Sequence, residues 1–452
     1  MAGGTWLSQN KKIPGVYINT KSKGIAAPSI GEKGVVAIAK ALDWGPVGVV
    51  QTYIPGADPI PFIGHDITSP EATFLREMCK GSDVTYGPIK ILLYRLTVTG
   101  GVKATATIGA LTATAKYIGT RGNDITIIVS PNADTPTDYD IETVVDGAIV
   151  ATQTLNDLDN LVSNDWVDFS GTGTTITTTA GTALTGGANG TFASSDYAAF
   201  LQVLEPYTFD ILCLDIVDAT IQTAVASFVQ RQSNVLGKKC QAVMAQGTAI
   251  NSEWVINLYN GVKLNDGTTL TPAQTTWWLA GAEAGAYYNQ SLTYAQYPGV
   301  VEASPKLTND QVIEQVEAGN IVFIDDFDRV KVCTDINTLT TVTPTKGEEF
   351  HKNRVMRVLN QFCNDVYKYF SNSFIGKLDN NESGRKLMKG WIVGYLNEMQ
   401  ANNGVQNFDA EDVEVIQGNS LDSVVVNVAL MPCDSVEKIY ITVTVSVTVD
   451  EE

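Results

Sequence analysis

The chain has 452 residues, 44% of them hydrophobic, and a formal net charge of −19 with only two histidines. That length suits about three domains with a sizeable core. The acidic excess argues against a nucleic-acid coat or a binder of anionic membranes, both of which need surplus Lys and Arg.

Residues 1–27 read as an N-terminal arm. It is polar and glycine-rich, and Lys11, Lys12, Lys21 and Lys23 all precede the first acidic residue, Glu32. Its one extended segment is Pro14-Gly-Val-Tyr-Ile-Asn19, where Val16 and Ile18 share a face, Tyr17 lies between them, and Pro14 and Gly15 oppose a helix. No signal-peptide apolar core opens the chain, and no apolar run is long enough to span a bilayer, so the expectation is synthesis in the cytoplasm without secretion by signal peptide.

An α/β pattern begins near Gly34. Val35-Val-Ala-Ile-Ala39 reads as a buried strand, and Ser69-Pro70-Glu71 as a helix start with a hydroxyl cap, a proline in the first turn and an acid against the dipole. Phe74, Leu75 and Met78 supply that helix's inner face, Gly81 ends it, and residues 89–95 form the next strand. Between about Thr97 and Gly190 the texture changes to Thr, Gly, Ala and Asp, with short alternating runs punctuated by Asp146-Gly147 and Gly186-Gly187. This predicts a small β domain of hairpins, inserted because both flanks read α/β. The α/β pattern then resumes with helices near 195–204 and 219–232, strands at 209–215 and 240–245, and a capped helix from Thr271-Pro272 in which Gly281, Ala284 and Gly285 permit close packing. A helix from Thr308 to Gly319 follows, and then a hairpin joining 321–324 to 330–333.

The last section reads α+β. Val355, Leu359, Phe362, Val366 and Phe370 recur at three- and four-residue steps, giving a strong amphipathic helix. A second helix spans about 384–400 and a strand 421–430. The chain closes on Lys438-Ile-Tyr-Ile-Thr-Val-Thr-Val-Ser-Val-Thr-Val-Asp450, which sets Ile439, Ile441, Val443, Val445, Val447 and Val449 on one parity, and Tyr440 and hydroxyls on the other. Such a strand either completes its own domain's sheet or adds to a neighbour's. The division is therefore an arm at 1–27, an α/β core at 28–96 plus 191–345, an inserted β domain at 97–190, an α+β domain at 346–435 and a C-terminal strand arm at 436–452.

No catalytic constellation emerges. The six cysteines are far apart, form no C-x-x-C and read as buried free thiols. There is no phosphate-binding glycine loop and no cofactor signature. Asp215 and Asp218, with Asp325, Asp326 and Asp328, form the best candidate metal-dependent site. The competing reading makes Asp215 a strand end, Asp218 a helix cap and 325–328 a solvated turn, and no nucleophile stands near them. Basic residues open the two late helices: His351, Lys352, Arg354 and Arg357 on one, Arg385, Lys386 and Lys389 on the other. They read as a solvated face or as a docking surface for an acidic partner.

Six stretches carry a resemblance: Asp335-Ile-Asn-Thr-Leu-Thr340, Asn353-Arg-Val-Met-Arg357, Phe374-Ile-Gly-Lys377, Asn407-Phe408, Glu437-Lys-Ile-Tyr440 and, at the start, Pro14-Gly-Val-Tyr-Ile-Asn19. In this order they resemble the sheath protein of contractile phage tails and phage-tail-like particles. The resemblance implies hexameric rings stacked helically around a tail tube, and a sheath that contracts to drive the tube through a cell envelope. Tail tube, baseplate and tail terminator proteins would be the partners, with no nucleic acid and no membrane insertion. It implies an outer inserted domain, an inner C-terminal domain, and arms that add strands to neighbouring subunits through Val16, Tyr17, Ile18, Ile439, Tyr440, Ile441, Val443, Val445 and Val447. Lys352, Arg354, Arg357, Arg385, Lys386 and Lys389 become candidate tube contacts, and the particle a virion tail or its phage-like equivalent. A self-assembling surface-layer or shell protein and a metal-dependent enzyme are the other classes the composition admits.

Overall fold

The computed structural model describes residues 30–31, 33–247 and 250–445, and the backbone of the pairs Gly3–Gly4 and Val16–Tyr17, which run parallel to each other. Ile18 and Val447 lie outside the described residues. Two compact units result: residues 32–368 with 432–452, and residues 369–431 with 1–31.

The larger unit is built on a seven-stranded sheet. Its strands are β1 (Val35–Lys40), β2 (Val50–Tyr53), β3 (Lys90–Arg95), β4 (Ile211–Cys213), β5 (Gln241–Ala245), β6 (Val255–Leu258) and β7 (Asn320–Ile321). The order is β7-β6-β5-β4-β1-β3-β2, parallel throughout except for the antiparallel edge strand β2. Parallel strands are covered on both faces, and β1 shows how. Val36 and Ile38 enter a core with α1 (Thr73–Cys79), while Ala37 and Ala39 enter the opposite one with α2 (Ser194–Leu204) and α3 (Ala219–Asn234).

The first core also holds α4 (Pro272–Gly285), buried without a break from Thr275 to Ala284. Thr271 and Gln274 form a reciprocal cap at its start. Its close approach to α1 depends on Gly281, where an added Cβ would sit 1.9 Å from the Met78 carbonyl oxygen. The expected helix starts at Ser69 and Thr308 are present, the latter beginning α5 (Asn309–Glu317). The run expected as one strand at 321–324 is divided: Ile321 pairs in the central sheet, and Phe323–Asp326 forms a hairpin with Arg329–Val332. Asn260 makes this corner, donating to the Phe323 carbonyl at 2.9 Å and accepting from its N–H at 2.8 Å.

The Thr/Gly-rich stretch is a β-sandwich. One sheet runs Ala148–Leu155, Tyr139–Val145, Ile125–Pro131, Thr179–Ala183; the other runs Val167–Ser170, Leu111–Ala115, Thr105–Ile108. Alternate residues such as Ile125, Ile127 and Val129 face Leu111, Ala113, Ala115 and Val167 in a separate core. Two buried arginines fasten it to the α/β core. Arg95 donates to the carbonyls of Gly45 at 2.6 Å and Ile118 at 2.8 Å, and Arg121 donates to Gly64 at 2.8 Å while pairing with Asp124 and Asp146.

The long helix α6 (Asn353–Ser373) begins in the larger unit and ends in the smaller one. There Trp391 of α7 (Glu382–Ala401) stacks between Tyr369, at 4.3 Å, and Tyr395, at 5.4 Å. A two-stranded antiparallel sheet, Val413–Gln417 with Val424–Val428, packs its first strand on α7. The chain is thus a mixed α/β protein with several sheets, a separate β-sandwich and a helical C-terminal region.

Candidate assembly site

Three of the stretches that carry the resemblance meet in the larger unit. Asn353, the first residue of α6, donates through Nδ2 to Asp335 Oδ1 and to the Ile336 carbonyl, both at 2.9 Å. Arg357 lies one turn further on the same face. Its Nη2 donates to Glu283 Oε2 and Asp335 Oδ2, each at 2.7 Å, and its Nη1 to the Gln290 carbonyl at 2.6 Å. All three charged side chains are about 1% exposed. Arg357 is therefore no tube contact: its guanidinium is consumed inside the core, which corrects the expectation for that residue.

Two buried carboxylates beside one guanidinium leave one negative charge over. Burial pushes Glu283 up to about 8, so it carries a proton at neutral pH. Burial opposes ionisation of Asp335 too, yet Arg357, the Leu292 N–H at 2.9 Å and a hydrogen bond with Glu283 hold its carboxyl below the usual carboxylate range. The cluster is neutral overall as a carboxylic acid, a carboxylate and a guanidinium.

The cluster extends to the surface through Thr293. Its Oγ1 accepts from the Asp335 N–H at 3.0 Å and donates to Glu437 Oε1 at 2.7 Å. The other Glu437 oxygen pairs with Lys352, the residue before α6. Glu437 is the last fixed point of the chain among the described residues. Beyond it residues 439–445 pair with no strand, and Ile439, Tyr440, Ile441, Val443 and Val445 are 74–90% exposed. Both parities are bare, so among the described residues 439–445 complete no sheet of this chain.

The remaining basic candidates divide. Arg354 is half-buried at the start of α6. In the smaller unit Arg385 donates to Asn380 Oδ1 at 2.9 Å, Lys386 pairs with Glu382 at 2.6 Å on an exposed face, and Lys389 is half-exposed. The acidic candidates have structural employment. Asp215 pairs with Lys40 and accepts from Trp277 Nε1 at 2.8 Å, and Asp218 caps α3 through the N–H groups of Thr220 and Ile221. Asp325 accepts from the Ala303 N–H at 3.2 Å, and Asp326 pairs with Lys331. Sequence reasoning missed the roles of Glu283, Thr293 and Glu437. Glu283 had a signal: it is the one charged residue in an otherwise apolar or neutral α4.

An α/β core bearing a β-sandwich, with a terminal strand-like segment tethered at Glu437 and bare over residues 439–445, is the build of an assembly subunit. Residues 99–189 match the phage tail sheath protein beta-sandwich domain, 190–338 the phage tail sheath protein central domain and 345–446 the phage tail sheath C-terminal domain. The crystal structure of a sheath tail protein from Desulfitobacterium hafniense is 40% identical and matches with a TM-score of 0.86, over 94% of this chain and 99% of that one. The phage-like element PBSX protein XkdK of Bacillus subtilis is 33% identical over 475 residues, 99% of this chain and 100% of its own. The helical sheath of the anti-feeding prophage in its contracted state shares the fold, with a TM-score of 0.58 at 15% identity over 96% and 99% of the two chains. The chain belongs to the phage tail sheath protein family, and it is a sheath subunit.

Proposed function

We propose that this protein polymerises as hexameric rings stacked helically around a tail tube, and that the stack shortens and widens to drive the tube through a cell envelope. The observation that carries this is the state of residues 439–445: strongly β-forming, fully exposed and unpaired, yet held at Glu437. A strand of this composition is stable only against another sheet edge. The receiving edge is Val424–Val428 of a neighbour, a strand that among the described residues pairs only with Val413–Gln417.

In this reading the N-terminal arm makes the reciprocal link. The sandwich at 97–190 lies outside, the domain at 346–435 lies against the tube, and Lys352, Arg354, Arg385, Lys386 and Lys389 are the candidate tube contacts. Baseplate and terminator proteins close the two ends of the stack. The part is structural, not enzymatic. Among the described residues no helix is long and apolar enough to cross a membrane, and the working location is the tail of a virion or phage-like particle. Deleting residues 439–452 tests the proposal: the truncated chain should remain a folded, soluble monomer that forms no tubes under conditions where the full chain does. Tubes of normal form from the truncation would overturn the arm.

A further inference from the structure

The roots of the N-terminal and C-terminal segments meet in one hydrogen-bonded network. It starts at the amino edge of the central sheet, where β1, β4 and β5 begin side by side. On the N-terminal side the N–H groups of Gly34 and Val35 both donate to Asp210 Oδ2, at 2.8 and 2.9 Å. Asp210 is fastened in turn, because its own N–H donates to the Val35 carbonyl and its carbonyl accepts from the Gln241 N–H, each at 2.9 Å. On the C-terminal side Glu437 is held by Thr293, whose hydroxyl oxygen accepts from the Asp335 N–H.

Two side-chain amides close the gap between these ends. Gln241 Nε2 donates to the Glu253 carbonyl at 2.9 Å and to Asn353 Oδ1 at 3.3 Å, and Asn353 Nδ2 donates to Asp335 Oδ1 at 2.9 Å. Both amides are buried, so neither can exchange a lost partner for water. An asparagine carries its donor and its acceptor in one rigid plane. Turning the Asn353 amide over would set Nδ2 against Gln241 Nε2 and Oδ1 against the Asp335 carboxylate, so its orientation is fixed from both sides at once. Charge joins the same two ends: Lys33, one residue before Gly34, is attracted by Asp210 on one side and by Glu283 and Asp335 on the other, and repelled by Arg357.

We propose that Asn353 is the joint of a coupling device: it links the hold on the N-terminal root at Gly34–Val35 to the hold on the C-terminal root at Glu437, so that securing either arm on a neighbour strengthens the grip on the other. Both holds favour the same orientation of one buried amide, which makes the coupling positive. By linkage it has the same size in both directions. The inference deepens the sheath reading, on which the use of the arms rests. A subunit captured through one arm is then better prepared to be captured through the other, which two independent tethers would not provide.

The test uses the full chain as a monomer, with amide exchange read residue by residue under conditions where it reports local opening. Glu437→Ala acts at the C-terminal root, yet it should speed exchange at Gly34 and Val35 about fivefold or more, the lower end of ordinary coupling between sites. Asp210→Ala acts at the N-terminal root and should speed exchange at Asp335 and at residues 433–438 by the same factor. Gln241→Met, close in volume, removes the donor to Asn353 and should cancel both cross effects while leaving each local effect in place. Asn353→Leu cuts the joint itself and should do the same, and Gln241→Met decides alone if that variant does not fold. Cross effects smaller than fivefold, unequal in the two directions, or undiminished in Gln241→Met would overturn the coupling. These measurements need no polymer, so they stand apart from the sheath reading: coupled roots in a chain that forms no tubes would overturn that reading and leave the coupling in place.

Discussion

Lys352 and Glu437 form an ion pair that joins the start of the long helix to the root of the C-terminal segment, with Thr293 sharing the same carboxylate. Behind that pair stands the buried Arg357 cluster, to which Thr293 connects Glu437 through the Asp335 N–H. Lys352→Met should cost the monomer about 1 kcal/mol or less, since the pair is partly exposed. It should nevertheless raise amide exchange at residues 433–438 and slow polymer growth. Unchanged exchange there would remove Glu437 as the anchor.

Arg357 is predicted to be indispensable and Glu283 replaceable. Arg357→Met leaves Asp335 buried without its counter-charge and should cost about 3–5 kcal/mol. Glu283→Gln mimics the protonated acid and should stay within about 1 kcal/mol of the parent below about pH 4.5, where the parent carboxyl is protonated in both states, and should be the more stable of the two at neutral pH. Denaturant titration of both variants checks the ranking.

The same cluster gives the monomer a signed pH dependence. Glu283 keeps its proton to about 8 when folded and ionises near 4.5 when unfolded, so the folded state binds the extra proton in that interval. Stability therefore falls as pH rises from about 4.5 to 8, by up to ~1.4 kcal/mol per pH unit from this group. Lys33, whose amine burial pushes down to about 8, acts with the opposite sign only above that pH. Glu283→Gln should flatten the decline, and an identical slope in that variant would contradict the assignment.

Gly281→Ala should destabilise by at least about 1–3 kcal/mol, because the new methyl would meet the Met78 carbonyl at 1.9 Å and α4 cannot retreat from α1 without opening the first core. Thermal unfolding measures it.

The cysteines are free, and burial pushes the thiol of Cys240 up to about 12 and that of Cys213 higher still. Both should resist alkylation in the native monomer at pH 8 and react once it is unfolded. Mass spectrometry of labelled peptides decides it.

Much of this fold was legible because local chemistry agreed with it. The caps at Ser69, Thr271 and Thr308, the small residues of α4 and the alternation in the sandwich each named their element. Arg357 misled because a run of basic residues at a helix start looks solvated, and only the lone acid in α4, distant in sequence, reveals the partner. The strand Val413–Gln417 went unread, since its Glu-Val-Ile-Gln pattern is short and its partner strand alone stood out. The terminal run showed its period plainly, but a period names a face and not the molecule that covers it.

Hydrogen exchange across residues 439–449, compared between monomer and polymer, separates an exported strand from one that pairs within its own chain. These amides should exchange at nearly free-peptide rates in the monomer and become strongly protected on assembly, together with new protection along Val424–Val428. Protection already complete in the monomer, or none in the polymer, would contradict an exported strand.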